Sequence, residues 1–146
     1  IDARPSNSAT GDLPEGVGWS SYTGGVLEAL EEIPSGGQKW FMKLDIKAAF
    51  WNLEYDSSFE TMRLFGCVVC DRNGKNPRYF LHRRLVMGWR HSSSWWSYSL
   101  QRLLSYVFGV DSEERKRIIV YIDDVLCYGY SPEETLALFN VILEVL

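Results

Sequence analysis

Residues 117–128 read RIIVYIDDVLCY and place two adjacent carboxylates, Asp123 and Asp124, inside an apolar, β-branched stretch. The runs Ile118 to Ile122 and Val125 to Tyr128 are typical of strands, so the acids mark the turn between them. Burying an unpaired carboxylate costs several kcal/mol, and neighbouring carboxylates repel each other, so this turn favours a bound cation. Oxygen ligands indicate a hard divalent ion. The alternative interpretation is a solvated Asp-Asp turn that joins two core strands.

A third acid, Asp45, lies in the stretch WFMKLDIKAAFW at residues 40–51. Phe41 to Ile46 is predicted to form a short core strand, with the acid near its end. Two acidic strand ends that are far apart in sequence can meet on neighbouring strands of one sheet. Three carboxylates there would suit two divalent ions about 3.5–4 Å apart, the arrangement of phosphoryl-transfer sites.

Four stretches of the chain together resemble the motifs of retroelement reverse transcriptases. KLDIKAAFW at 43–51 resembles the family's first catalytic motif, and YIDD at 121–124 resembles its YxDD motif. LVMGW at 85–89 resembles the start of the helix that contacts template and nucleotide, and IDARPSN at 1–7 resembles a segment of the fingers. The motifs follow the family's order and spacing, and the likeness is closest either to LTR-type (Ty3-like) elements or to their tyrosine-recombinase relatives.

The resemblance implies template-directed DNA synthesis, with an RNA or DNA template-primer and deoxynucleoside triphosphates as partners. Asp45 and Asp123 would then hold two Mg²⁺ ions, with Mn²⁺ as the alternative, and the backbone carbonyl of Ile46 would assist. Asp124 is the third residue of the predicted catalytic and metal site and would complete its charge, with or without binding a metal ion directly. Tyr121 would press against the end of the primer.

The resemblance also implies a nucleotide pocket. Phe50 matches the family's steric gate, whose ring would clash with a 2′-hydroxyl and so select deoxyribonucleotides. Arg4 would support the pocket, and Gly88 fits a bend where backbone approaches a ligand. Either Ser97 or Gln101 takes the place of the family's helix glutamine. From the residues alone, a core side chain is the favoured interpretation of Phe50, and Arg4 is equally well an ordinary surface arginine.

The segment between residues 72 and 90 is the most basic in the chain. Such a segment suits a groove that follows phosphates, and Arg78, Arg83 and Arg84 are predicted to contact primer or template. The alternative is the solvated rim of a hairpin. Relatives commonly have Asn-Ala-Pro after the motif glycine, whereas this chain has RHSSSW at 90–95, which affects the fine substrate contacts.

Composition allows a folded core but identifies no partner. The chain has 146 residues, 46% of them apolar, and a net charge of −4. Three cysteines, an odd number, fit a reducing compartment, and Cys67 and Cys70 are predicted to be core or surface thiols. The sequence shows no membrane-spanning run and no secretory signal, which favours an intracellular location in the cytoplasm, the nucleus or a virus-like particle. Oligomeric state is not indicated.

The predicted fold class is α+β: a small antiparallel sheet with helices packed on one face, like a polymerase palm, plus part of the fingers. Residues 1–146 are interpreted as a reverse transcriptase palm with partial fingers. This would be a piece of a longer chain that is inactive by itself. The remaining predicted elements are a loop over 1–25 with at most a short strand, a helix Tyr22 to Ile33, strands Phe59 to Cys70 and Tyr79 to Val86, a helix Ser92 to Phe108, a charged loop Gly109 to Lys116 and a helix capped by Ser131.

Each predicted long helix has an apolar stripe that we expect to be buried. The expected stripes are Trp96, Leu100, Leu103, Leu104 and Val107 in the first helix, and Leu136, Phe139, Val141, Ile142, Leu143 and Leu146 in the last.

Two other functions remain open at this stage. One is a catalytically inactive or domesticated relative that keeps the palm as a nucleic-acid-binding or scaffold domain. The other is a two-metal nuclease, which would cut a strand without any need for nucleoside triphosphates.

Overall fold

The computed structural model describes residues 4–13, 30–31, 33–55 and 65–146. The chain divides into two compact units, one made of residues 1–15 and 48–93 and the other of residues 16–47 and 94–146. In chain order the described elements are α1 (Arg4–Ala9), β1 (Trp40–Asp45), a 3₁₀ helix (Ala49–Asn52), β2 (Gly66–Val69), β3 (Arg78–Leu81), α2 (Ser92–Phe108), α3 (Glu113–Lys116), β4 (Ile118–Tyr121), β5 (Asp124–Gly129) and α4 (Pro132–Val145). The α+β class is confirmed.

A three-stranded antiparallel sheet in the order β1-β5-β4 forms the centre of the second unit. Strands β4 and β5 form the predicted hairpin, and β1 pairs along the outer side of β5. The expectation that the Asp45 strand lies beside the Asp123–Asp124 hairpin is therefore confirmed. The central strand β5 pairs with both β1 and β4, and residues that are distant in sequence therefore become neighbours.

Alternating side chains of the hairpin supply most of the sheet's buried surface. Ile118, Val120, Val125 and Cys127 are at most 3% exposed and lie on one face of the sheet. Ile119, on the opposite face, packs against Leu126, Tyr121 and Ile33. The β-branched and apolar character of residues 118–127 thus covers both faces, as expected for a strand pair at the centre of a fold.

Helix α4 begins as predicted. The Ser131 hydroxyl accepts a hydrogen bond from the Glu134 amide at 3.1 Å, and Pro132 occupies the first turn. The Glu134 carboxylate accepts a bond from the Tyr130 amide at 2.7 Å and pairs with Arg117. The bond from the Tyr130 amide contributes most, and the bond from Arg117 comes next. Together they hold the pKa of Glu134 below its usual value.

The predicted buried stripe of α4 is mostly wrong. The helix packs on β5 and β1 through Thr135, Leu138 and Ile142, of which only Ile142 was expected. Apolar residues surround most of this helix, so periodicity alone does not select the face that meets the sheet. The expected core residues that are exposed by 40–52% are Leu136, Val141, Leu143 and Leu146.

Helix α2 has the predicted bounds, and Trp96, Leu100 and Leu104 are buried as expected. Leu103 and Val107 are 40% and 41% exposed, so the buried stripe is narrower than predicted. No helix in the described part of the chain is both long enough and apolar enough to span a bilayer.

Gly129 allows the end of β5 to lie against the first turn of α4. A β-carbon at this position would lie 2.7 Å from Thr135 Oγ1 and 3.0 Å from the Thr135 amide nitrogen. The contact includes backbone, so a side-chain rotation cannot relieve it.

We expect Gly129→Ala to lower the free energy of unfolding by about 1–3 kcal/mol, the usual range for overpacking. Urea denaturation would measure the loss. Gly11→Ala is the matched control, because a β-carbon there meets nothing within 4 Å, and it should change stability by less than about 0.5 kcal/mol. Equal stability of the two variants would contradict the close packing at Gly129.

The first unit contains the antiparallel β2–β3 hairpin. Strand β3 is shorter than predicted: it ends at Leu81, and among the described residues beyond it Arg84 forms an isolated bridge to Glu54. The connecting loop is longer than two residues, as expected, and Asp71 organises it by accepting bonds from the Asn73 and Lys75 amides. Residues 56–64, the start of the other predicted strand, lie outside the described residues.

Aromatic packing forms the core of this unit. The Trp89 ring contacts Phe65 at 5.3 Å and Tyr55 at 6.0 Å between centroids. Phe65, Leu85 and Trp89 are buried.

Two short helices replace predicted loop. Within 1–25, α1 forms where at most a short strand was expected. The side-chain amide of Asn7 donates a hydrogen bond to the Gly88 carbonyl through Nδ2 and accepts one from the Arg90 backbone amide through Oδ1. Within 109–116, α3 is capped by Ser112, whose hydroxyl accepts from the Arg115 amide at 3.0 Å. The second error was avoidable, since a serine followed by two glutamates is a helix start. Of the predicted helix 22–33, Leu30 and Glu31 are helical, while residues 22–29 and 32 lie outside the described residues.

Candidate active site

The three acids meet at one corner of the sheet. Asp45 is the last residue of β1 and Asp124 is the first of β5, and the two lie directly opposite each other. The Ile46 amide donates a hydrogen bond to the Asp123 carbonyl at 2.9 Å, which joins the end of β1 to the hairpin turn. On the other side of β5, Asp124 lies opposite Tyr121. The sequence prediction that two distant acidic strand ends converge is supported by this register.

The hairpin turn has an unusual backbone. Ile122 has φ of 57°, the left-handed region that β-branched residues rarely occupy, at a cost of about 1–3 kcal/mol. A two-residue hairpin loop requires positive φ at its first central position, so the tight turn imposes this conformation on Ile122. The strain is confined to the residue that precedes Asp123.

Trp96 supports the strained turn from helix α2. Its indole Nε1 donates to the Ile122 carbonyl at 2.9 Å, and its side chain is 7% exposed. The apolar spacing of the helix predicts Trp96 as a core residue but does not indicate this contact. A tryptophan on an apolar helix face carries one donor that must find an acceptor when buried, which was the available clue.

A lysine lies among the acids. Lys43 Nζ is 2.8 Å from Asp124 Oδ1, with the lysine side chain 59% and the aspartate side chain 35% exposed. The hydrogen bond to Asp124 raises the pKa of Lys43, and the charges of Asp124, Asp45 and Asp123 raise it further, against a smaller opposing effect of desolvation. One ammonium group therefore interacts with all three carboxylates. Lys43 is not among the residues that the sequence motifs predict for the site.

The donor set suits magnesium through two of the three carboxylates. Asp45 and Asp123 are exposed and lie on joined segments, whereas Asp124 is engaged by Lys43. Mg²⁺ takes oxygen ligands and is usually held by one or two carboxylates, together with water and substrate phosphates. Across the described ranges, no three Asp, Glu, His or Cys side chains are grouped closely enough to hold a metal as they stand. The residues thus fit a site that substrate phosphates complete.

Ser97 and Gln101 lie one turn apart on α2 and bond to each other. Gln101 Nε2 donates to Ser97 Oγ at 3.1 Å. Ser97 is 3% exposed and Gln101 is half-buried, so the glutamine has more of its surface available to a ligand. The choice between them as the nucleotide-contacting residue stays a prediction.

The other predicted site residues belong to the first unit. Phe50 is half-buried in the 3₁₀ helix, and Arg4 is exposed in α1. Gly88 has φ of 91°, as the predicted bend requires. Arg78 is exposed at the start of β3, while Arg83 pairs with Glu54 at 3.0 Å and Arg84 donates to the Trp51 carbonyl. Their predicted contacts with nucleotide and template remain predictions.

The chain matches the family model described as reverse transcriptase (RNA-dependent DNA polymerase) over residues 15–146. The chain belongs to the reverse transcriptase family. Enzymes of this family generally use divalent metal ions, in keeping with the exposed carboxylates. The resemblance seen in the sequence motifs is thereby confirmed.

Among solved structures, this reverse transcriptase chain is similar to the prototype foamy virus protease-reverse transcriptase. The match has a TM-score of 0.66 and 19% sequence identity, and it covers 99% of this chain but 16% of the viral chain. At this identity the likeness shows the fold, which confirms the palm-like α+β class. No curated protein matched the sequence.

Proposed function

We propose that this chain is the catalytic palm region, with part of the fingers, of a retroelement reverse transcriptase. The full enzyme would extend a primer on an RNA or DNA template from deoxynucleoside triphosphates, inside the cell or a virus-like particle. The observation that carries the proposal is the pairing of Asp45 with Asp124, together with the Ile46–Asp123 backbone bond, in a chain of this family.

Asp45 and Asp123 are the proposed ligands of two Mg²⁺ ions, with Mn²⁺ as a substitute and the Ile46 carbonyl as a further ligand. When bound, such ions lower the pKa of the primer 3′-hydroxyl and stabilise charge on the reacting phosphate. The backbone bond between Ile46 and Asp123 keeps the two carboxylates on adjoining segments. Asp124 contributes negative charge to the same corner.

Further side chains would contact the substrates. Tyr121 is half-buried at the end of β4, opposite Asp124, where it can support the primer terminus. Phe50 would lie under the sugar of the incoming nucleotide, and Arg4, Gly88 and Gln101 or Ser97 would contact that nucleotide. Arg78, Arg83 and Arg84 supply positive charge for phosphates, although Arg83 is paired with a glutamate in the present structure.

The decisive experiment is primer extension by the full-length protein on an RNA template, with and without Mg²⁺. Mg²⁺-dependent incorporation of deoxynucleotides is expected. Template binding without incorporation would instead support the inactive scaffold, which the altered segment after Gly88 leaves open. Loss of labelled strand in the absence of nucleoside triphosphates would support a nuclease.

The contact between Trp96 and the Ile122 carbonyl leads to a second prediction. Trp96→Phe removes the indole donor and leaves the Ile122 carbonyl without it, at a cost of about 1 kcal/mol in stability. Displacement of the adjacent Asp123 should reduce primer extension about tenfold, which corresponds to about 1.4 kcal/mol of activation free energy. Trp40→Phe, at a 44% exposed tryptophan in β1, should leave both quantities unchanged. Wild-type extension by Trp96→Phe would contradict the positioning role.

A further inference from the structure

Lys43 shares one face of the sheet with Asp45 and Asp124. Lys43 and Asp45 are two residues apart in β1, so their side chains point to the same side. Asp124 lies directly opposite Asp45 and therefore also on that side, diagonally across from Lys43. The 2.8 Å contact between Lys43 Nζ and Asp124 Oδ1 follows from this register.

The lysine contact divides the acids into two kinds. Asp124 is half-buried and has a cationic partner, whereas Asp45 and Asp123 are exposed at the edge of the corner. The ammonium nevertheless interacts electrostatically with all three carboxylates. It therefore occupies the region to which a divalent cation would be drawn and opposes that cation's charge.

We infer that Lys43 is a built-in counter-cation of the catalytic corner: anchored on Asp124, it keeps this carboxylate out of metal coordination and weakens the binding of free divalent ions. This inference rests on the proposed function, since it assumes that Asp45 and Asp123 bind the ions. Its consequence is that the ions bind firmly only when the phosphates of a nucleotide add negative charge to the site.

The effect of removing the lysine follows from Coulomb's law. A unit charge several ångströms from a divalent ion, in a largely solvated site, changes the ion's affinity by a modest factor that salt reduces further. We expect Lys43→Gln to tighten the binding of Mn²⁺ about three- to tenfold at 0.1 M salt. Lys43→Arg keeps the charge and should stay within about twofold of wild type.

The measurement is titration of the full-length protein with Mn²⁺ in the absence of nucleotide and template, following free Mn²⁺ by electron paramagnetic resonance. Lys116→Gln is the matched control, because Lys116 is 58% exposed and pairs with Glu113 at 2.8 Å, almost as Lys43 pairs with Asp124. This variant loses the same positive charge, but at a position outside the acidic corner, and should change the Mn²⁺ affinity less than twofold. Lys43→Met serves as a second neutral variant.

A second comparison tests the anchor. In an Asp124→Asn background the lysine loses its ionic partner, so adding Lys43→Gln should change the Mn²⁺ affinity by a clearly smaller factor than it does in the wild-type background. An undiminished effect in this background would overturn the anchoring role. Lys43→Gln and Lys43→Met variants that bind Mn²⁺ no more tightly than Lys116→Gln would overturn the inference as a whole.

Asp45→Asn separates failure of this inference from failure of the proposed function. If Asp45→Asn abolishes Mn²⁺ binding while the neutral Lys43 variants leave it unchanged, the metal site stands and the counter-cation role falls. If wild type and Asp45→Asn bind Mn²⁺ equally, or if no variant binds it, the neutral Lys43 variants included, the metal site falls and the inference falls with it.

Discussion

Asp123→Asn is expected to reduce Mg²⁺-dependent primer extension by the full-length enzyme about a thousandfold or more. Metal ions in such sites stabilise the transition state by several kcal/mol, and each 1.4 kcal/mol corresponds to a factor of ten in rate. The asparagine keeps the size and the backbone of the aspartate. The bond from the Ile46 amide to the carbonyl of residue 123 therefore persists, and the fold should remain intact.

The matched control for this change is Asp111→Asn, which alters an exposed aspartate in the turn before α3. It should extend primers at the wild-type rate. Circular dichroism and thermal unfolding would verify that both variants are folded. Wild-type extension by Asp123→Asn would rule out Asp123 as a metal ligand, and the catalytic assignment of the corner would fail with it.

Phe50→Val is expected to relax sugar selection. If the ring lies under the sugar of the incoming nucleotide, its removal makes room for a 2′-hydroxyl and improves ribonucleotide incorporation relative to deoxyribonucleotide. Differences in apolar pocket contacts are usually worth about 10- to 200-fold in selectivity, so we expect a change within this range. The measurement is the ratio of kcat/KM for a matched ribonucleoside and deoxyribonucleoside triphosphate.

Phe80→Val provides the comparison, because Phe80 is 48% exposed on β3 and has no predicted contact with nucleotide. The selectivity of this variant should match that of the wild type. The structure shows Phe50 half-buried in a 3₁₀ helix, a position that suits either a core ring or a ligand contact. An unchanged ratio in Phe50→Val would identify Phe50 as a packing residue.

The sequence was most informative where local pattern and tertiary environment agree. The hairpin strands β4 and β5 were predicted to within about one residue, because their apolar, β-branched runs suit strands buried on both faces. Helix α2 and the cap of α4 were also predicted, because the apolar spacing of α2 and the Ser131 start of α4 are local signatures. These features depend on neighbours within a few positions of the chain.

The errors have different physical causes. Helix α1 is joined through Asn7 to backbone groups more than 80 residues away, which no local pattern reports. The buried face of α4 is selected by its contact with β5 and β1, since apolar residues lie on several sides of the helix. Strand β3 ends at Leu81, where the polar run 82–84 begins. The chain beyond it pairs with the segment around Glu54, through one bridge and two backbone hydrogen bonds, instead of extending the ladder with β2.

The sequence by itself determined the acids, the strands that carry them and the family to which their motifs belong, because these depend on residue type and spacing. Only the tertiary structure decided that Asp45 pairs with Asp124, that Trp96 holds the strained turn, and that Lys43 binds one acid and leaves two exposed. Strand register and hydrogen bonds between distant segments fix these contacts. Register and long-range hydrogen bonds depend on how segments that are far apart in sequence pack together, and local sequence patterns do not report this packing.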